Sequence, residues 1–152
     1  MKIKILYVDD ELMNLTAFKA TFRKGFEIFT AASAKEGKKI LEQENDIHII
    51  ITDQKMPETT GIEFLESIIE NHPDPIRILL TGYSDMSAVI DAINKGRVYQ
   101  YVEKPWKEND LKIILEKAYE IYSLRKENVK LTESLKEANK KLEFMIRQKF
   151  LS

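Results

Sequence analysis

The stretch Asn45–Gly61, NDIHIIITDQKMPETTG, carries an apolar run, Ile47–Thr52, that follows neither the two-residue alternation of a half-exposed strand nor the 3.6-residue period of a helix. Such a run suits a strand buried on both faces of a parallel sheet. It stops at a carboxylate, Asp53, and Lys55-Met56-Pro57 with the later Gly61 then read as a loop leading into a helix. In open parallel sheets ligands bind in the crevice beyond the carboxyl ends of the strands. An acid at that point meets solvent, and it also meets whatever groups end the neighbouring strands.

The rest of the chain supplies those neighbours. Lys2–Val8 is a second strand pattern and runs into Asp9-Asp10-Glu11. Leu12, Leu15, Phe18 and Phe22 recur at helical spacing up to Gly25, and Glu27–Ala31 is a short strand. Ser33 and Glu36 form a capping box for a helix reaching about Glu44. After the run ending at Asp53, a helix from Gly61 to Asn71 is stopped by Pro73 and Pro75. Ile76–Leu80 is a fourth strand ending in Thr81-Gly82, and Ser84 or Asp85 caps a helix that closes at Gly96. Tyr99–Glu103 is the fifth strand, ending at Lys104-Pro105, and from Glu108 a helical pattern continues unbroken. Strand and helix alternating with short connections predict a doubly wound α/β fold, a five-stranded parallel sheet flanked by five helices with the last helix extended.

Composition narrows the function. Lys and Arg number 24 against 25 Asp and Glu, so no overall field draws the molecule to nucleic acid, and direct nucleic-acid binding is not expected. There is no cysteine, which excludes disulfide and thiolate chemistry and fits a reducing compartment. The N-terminal apolar stretch is too short and too acidic at its end for a signal peptide or a membrane span, so a cytoplasmic location without membrane attachment is expected.

Four strand ends therefore carry Asp9-Asp10, Asp53, Thr81 and Lys104, all on one edge of a parallel sheet. Carboxylates brought together repel unless a cation sits among them, and an all-oxygen donor set suits Mg²⁺. A lysine and a hydroxyl beside them suit a phosphoryl group on Asp53, because phosphoryl transfer is catalysed by positioning and charge stabilisation. Singly, Asp9 and Asp10 read as a helix cap, Asp53 as a turn residue and Lys104 as a solvated lysine. Jointly they require several coincidences at one edge.

Across Met1–Tyr122 the chain resembles the receiver domain of a two-component response regulator, a flavodoxin-like fold. The resemblance rests on Asp9-Asp10, on Asp53 with Met56-Pro57 and Gly61, on Thr81-Gly82, and on Tyr101 with Lys104-Pro105. It implies a phosphorelay protein that accepts a phosphoryl group on Asp53 from a sensor histidine kinase or a phosphotransfer protein. It implies Mg²⁺ held by Asp10 and Asp53, by Asp9 through water, and by the main-chain carbonyl of Lys55. Thr81 and Tyr101 resemble the switch pair and Lys104 the phosphate-pairing lysine, with a cis Lys104–Pro105 bond. Lys55 and Tyr83 border the path of hydrolytic water and are expected to tune dephosphorylation. Such a protein is regulatory, promoting only its own phosphotransfer and dephosphorylation.

Beyond the receiver, residues 123–152 read as a coiled-coil dimerisation segment. Ile121, Asn128, Leu135 and Leu142 fall at position a, and Leu124, Leu131, Ala138 and Met145 at position d. Glu120 and Arg125 are placed to pair across a homodimer, and the apolar end Phe150-Leu151 suggests continuation into an output domain. Two other readings compete: a receiver-like dimerisation scaffold that is never phosphorylated, and an aspartyl-phosphate hydrolase. The hydrolase reading wants a second acid two residues after Asp53, where Lys55 stands, and a cap domain for which the chain has no room. No glycine-rich nucleotide loop is present.

Overall fold

The computed structural model describes residues 2–82, 84 and 86–151. Tyr83 and Asp85, singled out above for dephosphorylation and capping, lie outside the described residues. The elements alternate as the hydrophobic pattern predicts: β1 Ile3–Val8, α1 Leu12–Phe22, β2 Phe26–Ala31, α2 Ala34–Gln43, β3 Ile49–Asp53, α3 Gly61–Ile68, β4 Ile76–Thr81, α4 Met86–Asn94, β5 Gln100–Glu103 and α5 Glu108–Leu151. All strand pairs are parallel, in the order β2-β1-β3-β4-β5. The chain steps outward from β1 to β2, then returns to β3 on the other side of β1. Connections leaving the sheet diverge at the β1/β3 seam, which opens a crevice at its carboxyl end.

Every residue of β3 is buried, as the unbroken apolar run requires of a central strand. One layer packs Tyr7, Phe18, Leu111 and Leu115 with α1 and α5, and Trp106 joins it partly buried. Trp106 lies 6.0 Å from Phe18 and 5.5 Å from Phe22, ring centroid to centroid, so it seals the base of α5 against α1. The opposite layer packs Leu6, Ile50, Phe64, Leu65 and Val89 under α2, α3 and α4.

Local signals place the helix starts. The Glu36 amide donates to Ser33 Oγ at 3.2 Å, but the Glu36 carboxylate accepts from Ala32 N, one residue before the position a full capping box uses. The complete box is at Thr60 and Glu63, where both reciprocal bonds form, and it starts α3 at the loop after Asp53. Predicted ends shift by small amounts. β3 starts at Ile49 rather than Ile47, because Asp46 takes a left-handed turn with φ 65°. α3 ends at Ile68, and β5 starts at Gln100. The Lys104–Pro105 bond is cis.

α5 is 44 residues long. Leu111, Leu115, Ala118 and Tyr122 are its buried residues. From Leu124 to Leu151 every residue is exposed, a projection of about 40 Å at 1.5 Å per residue. The helix leaves the receiver under three restraints: Lys126 Nζ donates to Asp74 Oδ2 at 2.6 Å, the Arg125 guanidinium lies 5.7 Å over the Tyr99 ring, and Tyr119 and Tyr122 meet His48 edge-on at 5.0 and 4.9 Å. Arg125, expected to reach across a dimer, is thus engaged by its own receiver. Ile121, expected at the head of the seam, is half-buried against the core.

His48 anchors the start of the central strand. It sits just before β3, 6 % exposed, and its Nδ1 accepts from Lys4 N at 2.9 Å. Burial lowers its pKa below the ordinary 6.5, with Asp46 opposing and Lys4 assisting. The unfolded chain therefore binds this proton more readily, so the stability His48 contributes is present above 6.5 and is lost as pH falls below it. The unfolding free energy of wild type minus that of His48→Asn should shrink as pH falls from about 7.5 to about 5.5. A constant difference would sink this account.

Candidate functional site

Register assembles the site. Val8 stands opposite Thr52 in the β1/β3 ladder, so the next residues, Asp9 and Asp53, emerge side by side at the crevice. One carboxylate oxygen from each of Asp9, Asp10 and Asp53 lies within 4.8 Å of the others. Asp9 is 0 % exposed and Asp53 5 %, while Asp10 faces solvent. β5 delivers Lys104 to the same place, where its Nζ pairs with Asp53 Oδ1.

Burial raises the Asp53 pKa above the usual carboxylate value, the Lys104 hydrogen bond and charge oppose this, and Asp9 and Asp10 add to it. One lysine thus stands against three acids, two of them almost wholly buried. Buried carboxylates need partners, and donors that are all oxygen, with no nitrogen or sulfur ligand, fit a hard divalent cation such as Mg²⁺.

Thr81, at the end of β4, is buried, and its hydroxyl donates to Gly82 O at 2.9 Å. Tyr101 is half-buried against the layer that holds α3 and α4. Lys55 is exposed on the loop after Asp53. The structure thus brings together Asp9, Asp10, Asp53 and Lys104, and sets Thr81 and Tyr101 on the adjoining strands β4 and β5.

Three residues that the sequence pattern did not single out complete the surroundings. Tyr7 Oη donates to Asp9 Oδ2 at 2.6 Å, and burial followed by the Asp9 hydrogen bond pushes the phenol pKa far up, so it stays a donor. Asn14 Nδ2 donates to the same oxygen at 3.0 Å, and Glu11 N donates to Asp9 Oδ1 at 3.0 Å. Gln54 holds the loop after Asp53: its N donates to Leu80 O, its O accepts from Gly61 N, and its Oε1 accepts from Ile62 N, each at 3.0 Å. Gly61 is required because a Cβ there would collide with the Asp53 carbonyl and lie 2.8 Å from Leu79. The signal for Gln54 was available: a polar residue buried beside a helix start, where orphan N–H groups need acceptors.

Residues 5–116 match the response regulator receiver domain family. The chain belongs to this family. Receiver domains are phosphorylation-dependent signal receivers that bind Mg²⁺ at an acidic cluster of this kind. The chain is 37% identical over 123 residues to the hydrogenase transcriptional regulatory protein HoxA of Bradyrhizobium diazoefficiens, covering 81% of this chain and 25% of HoxA. It therefore spans about a quarter of the length of that relative. Among solved structures, a response regulator receiver domain protein from Clostridium thermocellum is 36% identical with a TM-score of 0.75, covering 80% of this chain and 97% of that one. An adenylate cyclase structure from Rhodopirellula baltica is 26% identical with a TM-score of 0.84, covering 88% and 98%. These relatives bear out the receiver resemblance and the doubly wound, flavodoxin-like fold. No described helix is long and apolar enough to cross a membrane.

Replacing Gln54 by Leu removes the acceptor for the buried Ile62 N–H. The expected cost is about 1–3 kcal/mol of unfolding free energy in urea, with an unchanged m-value. An unaltered midpoint would show that the loop does not depend on this bond.

Proposed function

We propose that Asp53 is the phosphoacceptor of a signal receiver that controls a dimeric output through α5. The observation that carries the reading is the Lys104–Asp53 ion pair at the β1/β3 crevice with Asp9 and Asp10 within reach. A carboxylate oxygen of Asp53 attacks the phosphorus of a phosphohistidine on a sensor kinase or phosphotransfer protein. The N–P bond breaks, the imidazole leaves, and an acyl phosphate forms. Lys104 then pairs with the phosphoryl oxygens in place of the carboxylate it now holds, and Thr81 turns its hydroxyl from Gly82 toward them. Tyr101 moves inward behind it. Asp9, Asp10, Asp53 and the Lys55 carbonyl would hold Mg²⁺, which when bound supplies charge neutralisation for the same oxygens. Lys55 and Tyr83 set the lifetime of the acyl phosphate.

The receiver occupies residues 1–122, and residues 123–152 pair two chains. Leu124, Leu131, Leu135, Leu142 and Met145 are each at least 55 % exposed, and a stripe so placed is left uncovered by the described residues of its own chain. Asn128 and Ala138 complete the seam. An output domain following α5 would receive the change.

The test is incubation with acetyl phosphate, followed by intact mass and sedimentation. The expected result is one phosphoryl mass gained by the wild type, requiring both Mg²⁺ and Asp53, and a dimer that Leu131→Lys with Leu135→Lys converts to monomer. Small residues at 55 and 83 should alter the rate at which that mass is lost. Absence of the mass gain would leave the non-phosphorylated scaffold. A wild-type monomer at all concentrations would remove the coiled coil.

A further inference from the structure

We propose that Tyr7 and Asn14 are positioning residues for the cation site: together they fix the orientation of the Asp9 carboxylate beside Asp53, and cation affinity falls when either is removed. This rests on the reading of Asp9, Asp10 and Asp53 as a Mg²⁺ site.

Asp9 has a problem that its neighbours do not share. Asp53 has Lys104 and Asp10 has water, but Asp9 is wholly buried beside both carboxylates. Repulsion from Asp53 and Asp10 favours any rotation that carries its charge away from them. The two donors on Oδ2 oppose that rotation, and each comes from a rigid element. Tyr7 lies in β1 and Asp9 directly follows its end, where Asp9 N still donates to Ala31 O, so strand alternation carries on and puts both on one face of the sheet. Its ring is 1 % exposed and packs 4.5 Å from Phe18, which fixes where the hydroxyl can be. Asn14 is held by the first turn of α1. Glu11 N anchors Oδ1, so both Asp9 oxygens are set by the body of the protein before any cation arrives. Groups that orient a ligating carboxylate in this way typically contribute about 10- to 100-fold to metal affinity.

Trp106 makes this measurable. It is the single tryptophan of the chain, and it lines a cavity with Tyr7, Asn14, Lys104 and Pro105 at the edge of the acid site. Its fluorescence is to be titrated with Mg²⁺ alone in wild type, Tyr7→Phe, Asn14→Ala and the double variant, with far-UV circular dichroism as a check on folding. Each single variant is expected to bind Mg²⁺ about tenfold more weakly, or worse. The double variant should lose less than the product of the two, because both bonds act on one oxygen. Dissociation constants within about twofold of wild type in both folded variants would overturn the proposal, leaving Tyr7 a core aromatic with a satisfied hydroxyl. Should Tyr7→Phe fail to fold, Asn14→Ala decides, since its side chain carries no core packing. A wild type with no saturable response would instead remove the metal reading itself, an outcome distinct from a wild type that binds and variants that match it.

Discussion

The structure depends on repulsion among like charges at the carboxyl end of the β1/β3 seam. Parallel pairing leaves Asp9 and Asp53 no choice of neighbour once Val8 and Thr52 are in register. Two carboxylates less than 5 Å apart repel by about 3–4 kcal/mol at an effective dielectric of 20, a large share of the stability of a domain this size. Hydrogen bonds to a charged acceptor return about 1.5–3 kcal/mol each. Asp9 takes three of them and Asp53 takes Lys104. The site is therefore held together without a cation, yet keeps a negative charge that a cation or a charge-rearranging phosphoryl group would resolve.

The loop from Asp53 to Gly61 follows the same constraint. Gln54 bonds β4, Gly61 and the first turn of α3, and the Thr60–Glu63 box closes the helix start. Asp53 cannot retreat from Asp9 without breaking this set. At the other edge of the sheet, α5 is fixed to the receiver by Lys126–Asp74, Arg125 over Tyr99, and His48 between Tyr119 and Tyr122. Tyr99 lies two residues before Tyr101, so the proposed switch aromatic and the emerging helix share one short segment.

The alternation of five strands with five helices and the four residues Asp9, Asp10, Asp53 and Lys104 were legible in the sequence because each depends on local pattern: an unbroken apolar run for β3, a carboxylate or lysine directly after a strand, glycine and proline between elements. Tyr7, Asn14 and Gln54 were not, since their roles depend on where a side chain points once strands are paired. Tyr7 reads as one more apolar residue of β1 until its hydroxyl is seen on Asp9. Arg125 reads as a seam-flanking charge until the Tyr99 ring is seen beneath it. The Glu36 carboxylate shows the same limit at small scale, reaching Ala32 rather than Ser33 although the spacing fits a box.

The account is tested most directly by thermal unfolding of wild type and Asp53→Asn, each in chelator and in Mg²⁺ well above its dissociation constant. It predicts that Mg²⁺ raises the wild-type Tm by binding only the folded site, that Asp53→Asn in chelator melts no lower than wild type because a repulsion has been removed, and that Mg²⁺ then moves the variant much less. A wild-type Tm indifferent to Mg²⁺, or a variant that melts lower in chelator and gains as much from Mg²⁺ as wild type, would contradict it.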